Sequence, residues 1–217
     1  MCRMDVRFTG DGADMVTWIA SAPGFMQRAS HALVVDGATW LIDPVDHPDV
    51  RARLADLPPP AGVVQLLDRH GRDCARMATA FGVPLTRTPR HSVAGAPFTA
   101  ITVRDAPGWR ESALWWPDRS VLVVAEALGT APYFRARPAD VLGPHPAARV
   151  WPPRRLTGFP ARHVLVGHGE PLNRDDAGAL VDAAVAQARR GAPAWMVSLL
   201  TGSVRRGDRR SPIVTRG

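Results

Sequence analysis

Apolar and polar positions along the chain fall into short strand-like runs separated by polar strings, with one clear helical stretch near the end. His31 to Val35 and Ala38 to Asp43 are two apolar runs joined by Asp36-Gly37, a two-residue turn of the kind that closes a β-hairpin. Pro48 to Pro60 is irregular or holds one short helix, and Val63 to Leu67 is an apolar run with the character of a buried strand. Alanine-rich spacing from Asp73 to Phe81 predicts a short helix closed by Gly82 as its C-cap. Phe98 to Val103, Ala113 to Trp116 and Val121 to Ala125 read as further strands, the last two turning at Pro117-Asp118. The proline-rich stretch Arg137 to Gly158 reads as loop, and His163 to Val166 as another buried strand. The longest helical pattern runs from Asp175 to Arg190, with Asn173 as its N-cap, acids at its start and arginines before Gly191. Strands mixed with strand-helix units predict an α/β fold in which helices cover the sheets.

The length of 217 residues, 46% of them hydrophobic, suits one domain with a substantial core. We expect that domain over residues 1–200 and a basic, disordered tail over 201–217. In the tail Arg205, Arg206, Arg209, Arg210 and Arg216 oppose only Asp208, about half of the net charge of +7. The chain contains no lysine, so its positive charge is all arginine. Cys2 and Cys74 are far apart, and Cys2 sits in an end segment expected to be mobile, which argues against a structural disulfide. No apolar run approaches the ~20 residues needed to span a bilayer, so no membrane partner is expected and a cytoplasmic protein is the default.

Each polar string follows an apolar strand, which would gather its side chains at one edge of a sheet, where α/β proteins commonly place their sites. Asp68, His70, Asp73, Cys74, Glu126 and His168 are ligand or acid-base residue types in such positions. No Gly-x-Ser-x-Gly elbow is present, Ser112 and Ser120 have no recognisable partner, and no glycine-rich phosphate loop occurs. His145, between two prolines, either approaches the cleft from its loop or stands exposed.

The order Leu41-Ile-Asp43, Leu67-Asp-Arg-His-Gly-Arg-Asp-Cys74, Gly108-Trp-Arg-Glu-Ser112, Val124-Ala-Glu-Ala127 and Val166-Gly-His-Gly-Glu170 resembles the metallo-β-lactamase-fold hydrolases across roughly His31 to Arg190. In that family an early strand ends in Asp. A strand then runs into Thr-His-x-His-x-Asp-His, followed by Gly-His-Thr-Pro-Gly, a strand-end Gly-Asp and a late Gly-His-Gly. The resemblance implies an αββα sandwich of two mixed sheets flanked by helices.

Two registers are open for the first motif. The preferred one puts Arg69 and Gly71 at the two histidines and Asp73 and Cys74 at the Asp-His pair; the other puts Asp68 and His70 at the histidines and Arg72 where a carboxylate ligand belongs. In the preferred register the first metal's ligands fall on Arg69, Gly71 and Trp109, none a plausible donor. The second metal's ligands fall on Asp73, Cys74, Glu126 and His168, four types suited to zinc, with manganese or iron as alternatives.

Two outcomes follow. A single metal survives, with Asp73, Glu126 and His168 as the catalytic set and Arg69, His70 and Trp109 toward substrate. Alternatively the cleft is metal-free, the favoured case, with Arg69 neutralising Asp73 and Glu126. Trp109, Trp115 and Trp116 either fill the vacated space or offer a ligand platform. The leading expectation is a divergent member of weak or no hydrolytic activity. One alternative is a one-metal hydrolase of ester, thioester or phosphoester bonds. Another is a binding protein for a small molecule or, less favoured, for nucleic acid. Asp43 is expected to brace loops at the strand edge and not to touch substrate.

Overall fold

The computed structural model describes residues 4–12, 14–21 and 26–200; the expectations for Cys2 and for the tail 201–217 fall outside them. The first sheet takes its six strands in sequence order: β1 (Asp5–Gly12), β2 (Met15–Ser21), β3 (Arg28–Val35), β4 (Ala38–Ile42), β5 (Pro60–Gln65) and β6 (Leu85–Arg87). β1 to β4 form an antiparallel meander, and β5 and β6 add to it in parallel. Asp36 and Gly37 both take positive φ in the β3–β4 turn, as a tight hairpin of this type requires. The sequence pattern does not announce β1 and β2. Their signal is only the short alternation of Val6 and Phe8, both packed against the outer face of the sheet.

Helix α1 (Pro48–Ala55) begins with proline where no amide is needed, and links β4 to β5. Helix α2 (Cys74–Phe81) links β5 to β6 and ends on Gly82 at φ 66°, the left-handed C-cap expected of that glycine. β7 (Thr99–Ala106), β8 (Trp109–Trp116) and β9 (Val121–Val124) belong to the second sheet, and β10 (Leu128–Gly129) pairs with β11 (Gly143–Pro144) in a small ribbon. β12 (His163–Val166) and β13 (Leu172–Asn173) complete the second sheet in the order β13-β12-β9-β8-β7, with β12 parallel to β9.

Near the end of the described chain, α3 (Ala177–Ala186) falls within the helix expected over Asp175 to Arg190, and α4 (Ala192–Leu200) is a further helix beyond it. Asn173 is not the N-cap of α3. Its side chain instead meets His163 Nδ1 across the β12–β13 pair, and Asp176 precedes the helix.

Three apolar layers hold this together. Leu33, Trp40, Ile42 and Val64 of the first sheet meet Phe98, Leu114, Trp116 and Val123 of the second. Val50 and Leu54 of α1 and Cys74, Met77 and Ala78 of α2 cover the outer face of the first sheet through Trp18, Leu41 and Val63. Ala177, Val181 and Val185 of α3 cover the outer face of the second sheet through Leu122, Val124 and Val164. The result is helix, sheet, sheet, helix, the expected αββα order. Among the described residues no helix is long and apolar enough to cross a membrane.

Candidate functional site

The two sheets are knitted together at the ends of β5, β9 and β12. Beyond β5, Leu67 bridges Glu111 of β8, and the Asp68 amide donates to Arg110 O at 3.0 Å. Beyond β12, His168 bridges Arg28, and the Ala29 amide donates to Gly167 O at 2.9 Å. The polar strings after these strands therefore meet, as the strand-end argument requires.

Asp43 closes β4 in a left-handed conformation at φ 43° and is almost fully buried. Its Oδ1 accepts the Leu66 amide at 2.8 Å and its Oδ2 accepts His70 Nδ1–H at 2.9 Å, so it braces the neighbouring loop. Because Nδ1 of His70 carries the proton, its Nε2 is an acceptor. It lies 3.2 Å from Nε2 of His168, which must then be the donor. That leaves His168 Nδ1 as a buried acceptor with no donor among the described residues. The His168 ring stacks on Phe134 at 5.5 Å. Burial, reinforced by the positive charge of Arg72, depresses the basicity of both histidines, more strongly for His168.

Arg72 is the centre of this arrangement. Its backbone is left-handed at φ 37°, which turns the side chain inward. Nη1 donates to Ala29 O and, at 3.0 Å, to Asp43 O, while Nη2 donates to Gly167 O at 2.9 Å. One guanidinium thus ties the starts and ends of β3, β4 and β12.

Nearer the surface, Arg69 Nη2 donates to Glu126 Oε2 at 2.7 Å, and Nη1 donates to Gly108 O at 2.9 Å. The Trp109 ring has the Arg69 guanidinium 4.7 Å and the Arg104 guanidinium 4.6 Å from its centroid. His145 does reach the cleft: its Nδ1 accepts the Ala147 amide, directing Nε2–H to within 3.6 Å of Glu126 Oε1.

The preferred register does not describe this site. His70, not Arg69 or Gly71, faces His168, and Arg72 lies between the loops, which is the placement of the other register. The reason lies in the turn after β5: the strand ends at Gln65, Leu67 makes only an isolated bridge to Glu111, and the left-handed backbone at Arg72 turns Asp73 away from the cleft. Asp73 turns outward, accepting the Asp46 amide at 2.8 Å and pairing with Arg76 at 3.0 Å. Cys74 is fully buried on the inner face of α2, its thiol 3.6 Å from His70 O and pushed up to about 12 by burial. Asp73 and Cys74 are therefore not gathered with Glu126 and His168, and Arg69 pairs with Glu126 but not with Asp73. Trp116 points into the layer between the sheets and Trp115 onto Phe159 of the outer layer, so only Trp109 lies in the cleft.

Two buried polar residues escaped sequence reasoning. Glu111 Oε1 accepts the amides of Glu126 and Ala127, both at 2.8 Å, and Oε2 accepts Trp109 Nε1–H at 2.7 Å. His31 lies between the sheets, its Nε2–H donating to Val166 O at 3.1 Å and its Nδ1 accepting the Thr17 hydroxyl at 2.9 Å. Their signal is a lone polar residue on the inward phase of an apolar strand.

Burial lowers the His31 pKa to about 4. The unfolded chain, with a histidine near ~6.5, takes up that proton first as pH falls. The stability that neutral His31 contributes is thus complete above about pH 6.5 and is lost progressively toward pH 4. Between pH 7 and pH 5 we expect a loss of about 2 kcal/mol from His31, with His70 and His168 adding in the same direction. Urea unfolding at the two pH values checks this, and a His31→Gln variant should show a shallower loss. Equal stability at both pH values would contradict a neutral His31.

A metal ion at this edge would need several nitrogen, sulfur or carboxylate donors converging on one point. Two imidazole nitrogens on one tetrahedral zinc stand about 3.3 Å apart, so the His70–His168 spacing alone would suit one. The remaining donors do not. Among the described residues no group of three or more His, Cys, Asp or Glu side chains is arranged to hold a metal. Glu126 is claimed by Arg69, and the Arg72 cation acts on both histidines. The residues present do not fit the metal centre that the resemblance implies.

No protein-family model matches the sequence, and no curated protein matches it. Solved structures do match in three dimensions. TMB-1 aligns with a TM-score of 0.58 at 12% identity, over 85% of this chain and 97% of its own. A putative diflavin flavoprotein from Nostoc sp. PCC 7120 gives 0.58 at 12% identity, over 87% of this chain and 98% of that one. The metallo-β-lactamase DIM-1, in a crystal exposed to ceftazidime, gives 0.55 at 11% identity, over 86% and 97%. With the two mixed sheets, the outer helices and the meeting of β5, β9 and β12 at one edge, these matches identify the chain as a protein of the metallo-β-lactamase fold.

Proposed function

We propose that this protein is a divergent metallo-β-lactamase-fold protein that works without a two-metal hydrolase centre and has weak or no hydrolytic activity. The observation that carries the reading is Arg72. A half-buried arginine, its guanidinium fixed by carbonyls of three strand ends, supplies positive charge beside His70 and His168. A divalent cation there would meet a like charge and, among the described residues, the two imidazole nitrogens that share a hydrogen bond with each other. What the cleft still offers is Arg69, Arg104 and Trp109 beside Glu126 and His145, which suits a small polar ligand better than a bond-breaking centre. A cytoplasmic setting agrees with the free, buried thiol of Cys74.

The His70–His168 spacing favours one second reading, a single-metal hydrolase of ester, thioester or phosphoester bonds. Assays on chromogenic esters, thioesters and phosphodiesters, with zinc or manganese added, separate the two. We expect wild-type turnover equal to that of His168→Ala. Metal-dependent turnover that disappears in His168→Ala would sink the proposal and establish the alternative.

A further inference from the structure

The side chain of Arg149 belongs to none of the chemistry above. It is 3% exposed at the end of the Pro146–Arg149 turn. A guanidinium carries five N–H donors. Among the described residues its hydrogen bond goes from Nη2 to Phe134 O at 2.6 Å, and Nε is buried with no acceptor. Two glycines clear the space around it: a Cβ at Gly191 would lie 2.6 Å from Nη1, and one at Gly143 would lie 3.3 Å from Nη2.

Arg149 lines a cavity of about 240 Å³ between α3 and the 136–144 loop, together with Arg137, Arg190, Gln187 and Asp140. Asp140 is the acid whose charge Arg149 feels, but its Oδ2 accepts the amides of Ala136 and Arg137. Among the described residues no ion pair joins it to Arg149. The carbonyl end of α3 works against an anion, yet its partial charge of about half a unit is outweighed by three guanidiniums against one carboxylate. A buried guanidinium lacking acceptors is costly, and an oxyanion is the group that its planar donors match.

We propose that this cavity is a second binding site, separate from the His168 cleft, that takes a small oxyanion, a phosphate or carboxylate group, on Arg149 with Arg137 and Arg190 at its mouth. The site reaches the cleft through Phe134, whose carbonyl holds Arg149 and whose ring stacks on His168.

Titration calorimetry with sodium phosphate and with sodium acetate, at ionic strength fixed by sodium chloride, tests this on the full chain. Saturable binding is expected for at least one anion, and which one binds identifies the group. Arg149→Gln should weaken it about tenfold, a cost of about 1.4 kcal/mol. Should that variant fail to fold, the exposed Arg137→Ala and Arg190→Ala each should weaken binding about threefold, while Arg174→Ala, remote from the cavity, leaves it unchanged. Absence of saturable binding to either anion would overturn the proposal. So would an affinity unchanged in the Arg137 and Arg190 variants.

Discussion

Arg72→Ala is expected to lower stability by about 4 kcal/mol, the largest effect of any single substitution in the site. The change removes a half-buried guanidinium that donates to carbonyls of Ala29, Asp43 and Gly167, and so unties β3, β4 and β12 where the two sheets meet. Removing the side chain also leaves a cavity, and the loop from Asp68 to Asp73 loses its inward anchor. For a chain of this size, such a loss should lower Tm by about 10 °C. Arg72→Met tests the origin of the effect: it keeps much of the stem volume and removes the half-buried charge, so part of the loss should be recovered. A change below about 1 kcal/mol in Arg72→Ala would contradict the role assigned to the guanidinium.

Glu111→Ala should cost about 3 kcal/mol, because it strands three donors at once, two buried amides and a half-buried indole N–H. The amides of Glu126 and Ala127 lose Oε1, and the indole N–H of Trp109 loses Oε2. The consequence extends into the cleft. Without that hydrogen bond Trp109 is freed from its place between Arg69 and Arg104, and the backbone that presents Glu126 loosens. Burial raises the Glu111 pKa, while the three N–H donors favour its ionised form. Glu111→Gln should therefore fall between wild type and Glu111→Ala, since an amide nitrogen cannot accept the donors that a carboxylate oxygen satisfied. Chemical denaturation of the three proteins gives the order directly, and equal stability of Glu111→Ala and wild type would remove Glu111 from the account.

The architecture was legible wherever local chemistry and periodicity agreed. The Asp36-Gly37 turn, the apolar runs at Val63 and His163, and Gly82 at the end of α2 all did their expected work. The edge at which the polar strings meet was legible for the same reason, since each string follows a strand. Which residues of a string face inward was not, because a left-handed turn such as that at Arg72 redirects the side chains that follow it. Helical phase held a usable clue. Cys74, Met77 and Ala78 lie at i, i+3 and i+4, so the thiol shares the buried face of α2 and cannot also face the cleft.

Arg72 was harder to place, since an arginine beside glycine ordinarily reads as solvent-exposed, and only its left-handed backbone turns it inward. Glu111 and His31 depended on contacts between the sheets, to the ends of β9 and β12, that a single sequence does not display. His145 rested on a loop whose path is fixed by the Ala127 carbonyl and by rings around it, Trp109, Tyr133 and Phe134.

In the proposed reading Arg72, and not a metal ion, organises the cleft. Elemental analysis of tag-free protein, exposed to excess zinc, manganese and iron and then exhaustively dialysed, tests it most directly, with His168→Ala alongside. Far less than one equivalent of any of the three metals is expected, the same in both proteins. About one equivalent in the wild type, lost in His168→Ala, would contradict it.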